Sequence, residues 1–429
     1  MADIKKLQKL LKEMDDQLVG CMKCGMCQGV CPVFAETHDE GDVTRGKIYL
    51  LEGLANSMIS DARGVKERID NCLMCGTCAA NCPSGVSAME IFLKARAILT
   101  GYTGLSPIKK AIFRGTLAHP ARFTKLLDFG SKFQGLFTAK ANEFMGTSCA
   151  TVMLPLIGKR HFKGLAEKPL HKLEAAKNTM RGKSGLKVAF YTGCVVDKIY
   201  PNIGRAVLKV LDHHGVGVYM PDSQGCCGIP ALTSGDTQTF EKLMRYSLRI
   251  FSGKDFDFLV TPCATCTATV RKLWPLMTST LAPEKLGATK ALAGITMDIS
   301  EFLVKRLGIT AKESAPDAPK ITWHDPCHLG KSLGVFAEPR TLIQAGGDNR
   351  LVEMNEANYC CGNGGSFNLA HYETSTKIGM RKRDNVVATG AKTVATGCPA
   401  CMMQLTDMLS QRGDSIKVRH AIEVYADTL

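Results

Sequence analysis

The sequence predicts a multi-domain α+β protein, in which a helical N-terminal domain carrying two cysteine runs is followed by two α/β units that repeat one another. Eighteen of the nineteen cysteines fall into four groups with regular spacing. The last two groups follow predicted strands that alternate with helices, as expected for α/β units. The length of 429 residues corresponds to two to four domains of ordinary size.

The first predicted domain, residues 1–104, contains helical segments at 45–56 and 88–100 and two runs of the form C-x2-C-x2-C-x3-C-P. Three cysteines on a tight loop suit three irons of a cubane, and in two-cluster ferredoxins the fourth cysteine of each run ligates the other cluster. Structural zinc is the alternative, but zinc takes four ligands and does not suit two tandem runs. We therefore predict two [4Fe–4S] cubanes, one on Cys21, Cys24, Cys27 and Cys82 and one on Cys72, Cys75, Cys78 and Cys31.

A basic, Phe-rich helical connector is predicted at residues 105–185. Between Leu105 and Lys187 there are sixteen Lys or Arg against four acidic residues, and the connector contains seven of the seventeen Phe. One interpretation is a helical cover with a solvated basic face. The other is a docking surface for an acidic partner or an anionic membrane. The docking residues would be Lys109, Lys110, Arg122, Lys125, Phe123, Phe133 and Phe137.

Residues 186–313 and 320–429 are predicted to be two copies of one α/β unit, joined by a linker at 314–319. In the first copy we predict strands at 188–192, 216–220 and 257–261 and helices at 203–213 and 240–251. The second copy has predicted strands at 321–323 and 393–396. The alternation of strands and helices favours a parallel sheet in each copy.

Each α/β unit carries a lone Cys, a Cys-Cys-Gly and a C-x2-C, separated by 31 and 35 residues in the first copy and by 32 and 36 in the second. Five sulfurs exceed what one zinc uses, and adjacent cysteines do not readily chelate one metal because successive side chains diverge. A multi-iron cluster is favoured, with zinc in at least one site or plain dithiol chemistry as alternatives. Site 1 comprises Cys194, Cys226, Cys227, Cys263 and Cys266, and site 2 comprises Cys327, Cys360, Cys361, Cys398 and Cys401.

Two histidines, His324 and His328, flank Cys327 in the second unit. They are candidates for ligands or proton donors beside a cluster. The commoner role of such histidines is to orient a loop through hydrogen bonds.

The complete pattern resembles the Cys-Cys-Gly family of iron–sulfur proteins, related to heterodisulfide reductase. Residues 42–50 and 418–423 are similar to the glycolate oxidase and lactate dehydrogenase iron–sulfur subunits in particular. The resemblance implies α-helical ferredoxin folding for residues 1–104 and non-cubane [4Fe–4S] clusters at intact five-cysteine sites. Glycolate-oxidase-type members often lack some of these ligands. This chain keeps all ten, and complete sites resemble those of heterodisulfide reductase, where such clusters cleave a disulfide.

Two functions follow from this resemblance. The first is the iron–sulfur electron-transfer subunit of an FAD-dependent lactate or glycolate dehydrogenase, which would pass electrons from a flavoprotein partner to quinone, a membrane cytochrome b or another carrier. The chain has no dinucleotide fingerprint, so we expect it to bind neither FAD nor NAD and to be a non-flavin redox subunit of an oxidoreductase complex. The alternative is a catalytic subunit of the heterodisulfide reductase type. A zinc-binding scaffold is a third possibility.

Composition and charge restrict where in the cell the protein is expected and which partners it is expected to bind. No uninterrupted apolar stretch approaches the roughly 18 residues of a membrane span, and the start lacks the apolar core of a signal peptide. We therefore expect a cytoplasmic protein, with peripheral attachment to the inner face of the membrane as an option. Four clusters of about −2 each would reduce the formal net charge of +14 to roughly +6, so nucleic-acid binding is not expected.

Overall fold

The computed structural model describes residues 4–151 and 158–429. The N-terminal domain is helical, as predicted. Its apolar core forms where Leu7, Leu11 and Leu18 meet Ile48 and Leu99, all of them buried. The helices are α1 (Ile4–Lys12), α2 (Asp15–Leu18), α3 (Met26–Val30), α4 (Phe34–Thr37), α5 (Thr44–Ala55), α6 (Ala62–Asp70), α7 (Thr77–Ala80) and α8 (Ala88–Thr103), with a 3-10 turn at Glu40–Asp42.

Among the described residues of the connector, the longer helical segments lie in its first half and a hairpin and short elements follow, which corrects the prediction of a helical connector at 105–185. Its elements are α9 (Pro107–Lys110), a π-helical segment (Ala111–Leu117), α10 (Pro120–Phe133), a 3-10 turn (Gln134–Leu136), strands β1 (Thr138–Asn142) and β2 (Thr147–Ala150), α11 (Leu170–Leu173) and β3 (Lys177–Asn178). Strands β1 and β2 form an antiparallel hairpin. Met145 at its turn is buried with Leu405 and Leu409 of the second α/β unit. This tertiary contact, which leaves no signal in local sequence, accounts for the departure from helix.

The first α/β unit is built on a five-stranded sheet in the order β3-β5-β4-β6-β7. Strands β4 to β7 are parallel, as predicted, and the short β3 from the connector joins the edge antiparallel. The elements are β4 (Lys187–Phe190), α12 (Cys194–Lys198), α13 (Pro201–His213), β5 (Gly217–Met220), α14 (Ile229–Thr233), α15 (Thr237–Phe251), β6 (Phe258–Thr261), α16 (Ala264–Ala268), a π-helical segment (Thr269–Leu273), α17 (Trp274–Leu281), a 3-10 turn (Pro283–Lys285), α18 (Leu286–Gly294), β7 (Thr296–Asp298) and α19 (Ile299–Leu307).

The second unit repeats this plan on a four-stranded, wholly parallel sheet in the order β11-β10-β8-β9. Its cysteines follow the carboxyl ends of β8, β9 and β10, which are consecutive in the sheet, so the topology gathers them at one edge. The elements are β8 (Lys320–His324), α20 (Cys327–Leu333), α21 (Ala337–Gln344), β9 (Arg350–Glu353), α22 (Ser366–Ala370), α23 (Tyr372–Ala388), β10 (Thr393–Thr396), α24 (Pro399–Gln411), β11 (Lys417–His420) and α25 (Ala421–Ala426).

The units pack so that their cysteine-bearing edges face each other. Helix α16 of the first unit lies against α20 of the second, and α13 packs on α25. The Lys209 ammonium donates to the Ala426 carbonyl at 2.7 Å across this contact. Within the described ranges, 4–151 and 158–429, we find no helix with the length and apolar character needed to cross a bilayer.

Candidate metal centres

The two cysteine runs of the N-terminal domain line two adjacent cavities. The first cavity is lined by Cys21, Cys24, Cys27, Cys82 and Cys78. The second is lined by Cys31, Cys72, Cys75 and Cys78. Each cavity thus contains the four cysteines that the cross-over pattern assigns to one cubane, and Cys78 borders both.

Electrostatics place Cys31 with the second run, although it belongs to the first run in sequence. Burial, together with the neighbouring Cys72 and Cys75, raises the pKa of the Cys31 thiol to about 11. Burial also raises the pKa of Cys78 to about 12, with added contributions from Cys75 and Cys72. Deprotonation of buried thiols crowded in this way is unfavourable unless a cation joins the sulfurs, so the donor set fits a thiolate-ligated metal.

Backbone amides are directed at the sulfurs of both runs. The Phe34 N–H donates to Cys31 Sγ at 3.5 Å, and the Val86 N–H donates to Cys82 Sγ at 3.4 Å. Hydrogen bonds of this kind favour the thiolate form, which is the form that ligates metal.

A buried cation, Lys47, lies at the second cavity. Its ammonium donates to the Gly41 carbonyl at 3.1 Å and lies 3.6 Å from an Asp42 carboxylate oxygen. Burial lowers the pKa of Lys47, while nearby Cys72 and Asp42 oppose that shift.

Site 1 is formed by contacts among all five of its cysteine side chains. Cys226 is hydrogen-bonded to Cys194 and Cys227, Cys227 to Cys266, and Cys266 to Cys263. The indole N–H of Trp274 donates to the Cys227 carbonyl at 3.0 Å and fixes the Cys-Cys loop. Four of the five cysteines are buried, and Cys194 is partly exposed.

Site 2 has the same arrangement. Cys360 contacts Cys327 and Cys361, Cys401 contacts Cys361, and Cys398 contacts Cys401. Hydrogen bonds from Cys360 and Cys401 hold the pKa of Cys361 well below its usual range.

The Gly of each Cys-Cys-Gly is required by backbone shape. Gly228 and Gly362 have φ of 94° and 92°, a region that only glycine adopts freely. A Cβ on Gly228 would lie 2.8 Å from the Phe240 ring, and a Cβ on Gly362 would lie 2.6 Å from the Ser375 carbonyl oxygen. The bend lets the adjacent cysteine side chains contribute to one site, which an extended backbone would prevent.

The cysteines of the second cavity, of site 2 and of site 1 contact one another. Cys263 of site 1 is hydrogen-bonded to Cys398 of site 2. Cys75 of the second cavity contacts Cys327 and Cys360 of site 2. A continuous row of sulfur contacts therefore runs from the N-terminal domain through site 2 to site 1, in the order Cys75, Cys327, Cys360, Cys361, Cys401, Cys398, Cys263, Cys266, Cys227, Cys226 and Cys194.

The two histidines beside Cys327 have different surroundings. His328 Nδ1 lies 3.1 Å from the Thr265 hydroxyl, and its Nε2 lies 3.3 Å from the Met74 carbonyl, so this ring ties three domains together. His324 is fully buried at the end of β8. One of its ring nitrogens and the sulfurs of Cys361 and Cys401 all lie within 4.8 Å of one another.

The predicted docking residues of the connector divide between two faces. Phe123 packs against the core, and Lys109 is half-buried with a pKa lowered by burial, so neither belongs to an open surface. Lys110, Arg122, Lys125, Phe133 and Phe137 are exposed. Leu126, Phe129 and Leu136, which share the helical apolar spacing of Phe133 in the sequence, are exposed on the same face.

Models of known protein families match the N-terminal domain and both α/β units. The profile described as "4Fe-4S dicluster domain" matches residues 17–86, and the profile described as "Cysteine-rich domain" matches residues 188–271 and 321–406. The chain belongs to the Cys-Cys-Gly family of cysteine-rich iron–sulfur proteins.

Three relatives illustrate the range of the family. The chain is 29% identical to the "Probable glycolate oxidase iron-sulfur subunit" of Bacillus subtilis over 97% of this chain and 95% of that protein. It is 30% identical to "Lactate utilization protein A" of B. subtilis over 56% of this chain and 98% of that protein. It is 27% identical to one of the subunits of "Fumarate reductase (CoM/CoB)" of Methanothermobacter marburgensis over 95% of this chain and 72% of that protein.

One crystal structure shares the fold over the whole chain. A hypothetical protein from Helicobacter pylori matches 100% of this chain and 77% of its own, with a TM-score of 0.53 and 11% sequence identity.

Proposed function

We propose that this protein is the iron–sulfur electron-transfer subunit of an FAD-dependent 2-hydroxy-acid dehydrogenase that oxidises lactate or glycolate. The observation that carries the proposal is the continuous row of sulfur contacts from Cys75 to Cys194. Clusters bound by these thiolates supply one-electron transfer. The relatives named for glycolate oxidation and lactate utilization support the choice of substrate class.

The cysteine assignments of the two ferredoxin runs and of sites 1 and 2 are part of this proposal. The protein's own contribution is to order the ligands in a line and to exclude water from most of it. Eight of the ten cysteines in sites 1 and 2 are buried, which supports a relay more than a site open to substrate.

We propose that the flavoprotein docks at the first cavity. Cys24 is the exposed cysteine of that cavity, and Met22 and Met26, which line the same cavity, are 68% and 58% exposed. Exposed methionines at one place are typical of protein-binding surfaces, because the flexible thioether adapts to a partner. Electrons would then enter at the first cavity and reach the Cys75 end of the row through the second cavity, since Cys78 borders both.

We propose that α10 attaches the other end to an anionic membrane surface. Helix α10 begins over site 1, since a Cβ on Gly225 would lie 3.3 Å from the Pro120 ring. On its inner side Asp128 contacts the Lys172 ammonium at 2.7 Å, which fixes the face turned outward. That face carries Leu126, Phe129, Phe133, Leu136 and Phe137 beside Arg122 and Lys125.

Apolar side chains bordered by cations match the chemistry of an anionic lipid surface, where the rings enter the interface and the cations meet the headgroups. Quinone, the proposed acceptor, is dissolved in that membrane. An acidic protein face would match the cations but would leave the five apolar side chains without a counterpart.

The function is tested by purifying the native complex through this chain without oxygen and measuring its cofactors. We expect FAD on a second polypeptide and reduction of the iron by lactate or glycolate. Haem b without flavin would contradict the dehydrogenase assignment.

The flavoprotein surface is tested with Met22→Glu and Met26→Glu. Both variants should lose the flavoprotein on purification, while the control Met180→Glu, at a residue that is 84% exposed elsewhere, should keep it. Retention of the flavoprotein by both variants would refute this surface.

The membrane surface is tested by sedimentation of the full chain with vesicles of phosphatidylglycerol and phosphatidylcholine. Phe129→Glu with Phe133→Glu should abolish binding, Arg122→Glu with Lys125→Glu should weaken it at low salt, and Phe336→Glu should leave it unchanged. Absence of vesicle binding by the unaltered chain would refute the lipid assignment. If an acidic protein copurifies with the unaltered chain and is lost from the α10 variants, that protein is the partner of this surface in place of the membrane.

One observation favours a second function. All ten cysteines of sites 1 and 2 are retained and in contact, and one relative is named as a component of a fumarate reductase (CoM/CoB). We propose disulfide reduction at one of these sites as the alternative. Release of two thiols per disulfide by the reduced protein, lost in Cys361→Ala or Cys227→Ala, would establish it.

A further inference from the structure

His324 occupies a position in site 2 that is unusual for a histidine in a protein interior. It is the last residue of β8, pairs in register with Thr396 of β10 and has no exposed surface. The cysteines Cys327 and Cys398 follow these two strands, so His324 lies at the sheet edge where the site is formed.

Neither ring nitrogen of His324 has a nitrogen or oxygen partner among the described residues, and the ring is hydrogen-bonded to the Cys361 thiol, which is a weak partner. An imidazole buried in this way costs about 1–3 kcal/mol unless something satisfies it, and such groups in folded proteins call for a ligand or an ion. What the ring faces is sulfur. One ring nitrogen lies within 4.8 Å of both Cys361 Sγ and Cys401 Sγ.

The corresponding residue of site 1 behaves differently. Tyr191 stands three residues before Cys194, as His324 stands three before Cys327. The Tyr191 hydroxyl donates to the Gly225 carbonyl at 3.0 Å, so the side chain is satisfied by the protein itself. Sites 1 and 2 therefore have equal sets of five cysteines. They differ in the side chain three residues before the first cysteine, which is Tyr191 in site 1 and His324 in site 2.

Two other buried or partly buried histidines near the sites have protein partners. His328 contacts Thr265 and Met74 through both ring nitrogens, whereas His420 Nδ1 accepts the Ile422 N–H at 3.2 Å and its Nε2 has no such partner in the described part of the chain. Among the described residues, His324, Cys361 and Cys401 are the one group of three His, Cys, Asp or Glu side chains whose ligand atoms all lie within 4.8 Å of one another.

We propose that a ring nitrogen of His324 is an iron ligand at site 2, which makes site 2 a mixed imidazole–thiolate centre while site 1 is held by thiolates alone. Imidazole and thiolate both suit iron. This inference rests on the proposed assignment of an iron–sulfur cluster to site 2.

Ligation by His324 would affect the reduction potential of the centre at site 2. A neutral imidazole adds no negative charge, and histidine ligation raises the reduction potential of iron–sulfur centres relative to ligation by thiolate alone. Compared with a sixth thiolate at the same position, the imidazole of His324 would therefore leave site 2 easier to reduce.

The test uses the full chain, purified without oxygen and labelled with 15N-histidine, with pulsed EPR to detect nitrogen bound to iron. We expect the coupling of a directly bound nitrogen in the unaltered chain and in the control His328→Gln, and no such coupling in His324→Phe. The ferredoxin-type signals should be unchanged in all three. In His324→Cys, where an anionic thiolate replaces the imidazole, the midpoint potential of the site 2 centre should fall.

The outcomes separate this inference from the function on which it rests. Iron that stops at about eight atoms per chain, or zinc held at site 2, would overturn the cluster assignment itself. Iron at site 2 without histidine coupling, coupling that persists in His324→Phe, or an unchanged potential in His324→Cys would overturn the role of His324 alone.

Discussion

Arg96 joins the loop of the second ferredoxin run to the first α/β unit. Its removal should weaken both the loop and its attachment to that unit. This side chain is 2% exposed. Its guanidinium donates to the carbonyls of Ile69 and Cys72 at 2.9 Å each and of Asp70 at 3.1 Å. It also donates to the Thr233 carbonyl of the other domain at 2.9 Å.

The magnitude follows from the carbonyls that Arg96→Met would leave without a donor. A hydrogen bond from a charged group contributes about 1.5–3 kcal/mol, and bonds from one guanidinium are not additive. A buried acceptor left without a donor costs about 1–3 kcal/mol, so the loss of four bonds to carbonyls, counted less than additively, should cost about 3–5 kcal/mol. With a denaturant slope of about 2 kcal/mol/M, the urea midpoint of the N-terminal domain should fall by about 2 M.

The assay follows the visible absorbance of the clusters in urea without oxygen, for Arg96→Met and for the control Arg63→Met. Arg63 is exposed on α6 of the same domain, so the same chemical change should have little effect there. Iron should also leave the Arg96→Met protein faster, because the Cys72 carbonyl loses its anchor. Equal midpoints for the two variants would refute the role given to Arg96.

Three further predictions concern the clusters and the pH dependence of stability. If the cysteine runs exchange their fourth ligands, Cys21→Ala with Cys82→Ala should lose about four irons, whereas Cys21→Ala with Cys31→Ala should lose about eight, as measured by iron analysis. Lys47→Met removes a buried cation at the second cavity, so the midpoint potential of that cluster should fall in a redox titration; an unchanged potential would contradict this. Burial raises the pKa of Asp298 to about 7, so the folded state holds this proton more tightly than the unfolded state. Stability contributed by the protonated carboxyl is lost as pH rises toward 7, and Asp298→Asn should gain about 1 kcal/mol relative to the unaltered chain between about pH 6 and pH 8 in urea unfolding. A constant difference across that range would count against the assignment.

Local patterns in the sequence predicted the elements that carry the cysteines. The strand before Cys194 was expected at 188–192 and occupies Lys187–Phe190, and the helix expected at 240–251 occupies Thr237–Phe251. Both are defined by apolar spacing and by turn residues within a few positions. The parallel sheets followed from the alternation of these elements.

Contacts between segments that are distant in the chain could not be predicted from local sequence patterns. Cys263 and Cys398 are separated by more than a hundred residues, and nothing in either motif indicates that the two sites face each other. The hairpin around Met145 forms because the second unit offers it an apolar surface, which overrides the local preference for helix. His324 and His328 look equivalent in sequence, and only the partners of each ring separate their roles.

In the proposed function, electrons pass from the ferredoxin-type domain through site 2 to site 1. The most direct test reduces the purified complex with lactate or glycolate and follows each cluster by EPR, in the unaltered chain and in Cys361→Ala. We predict that the variant keeps its ferredoxin-type iron and becomes reduced there, while site 1 stays oxidised. Reduction of site 1 at the normal rate in a variant shown to lack the site 2 cluster would contradict the account.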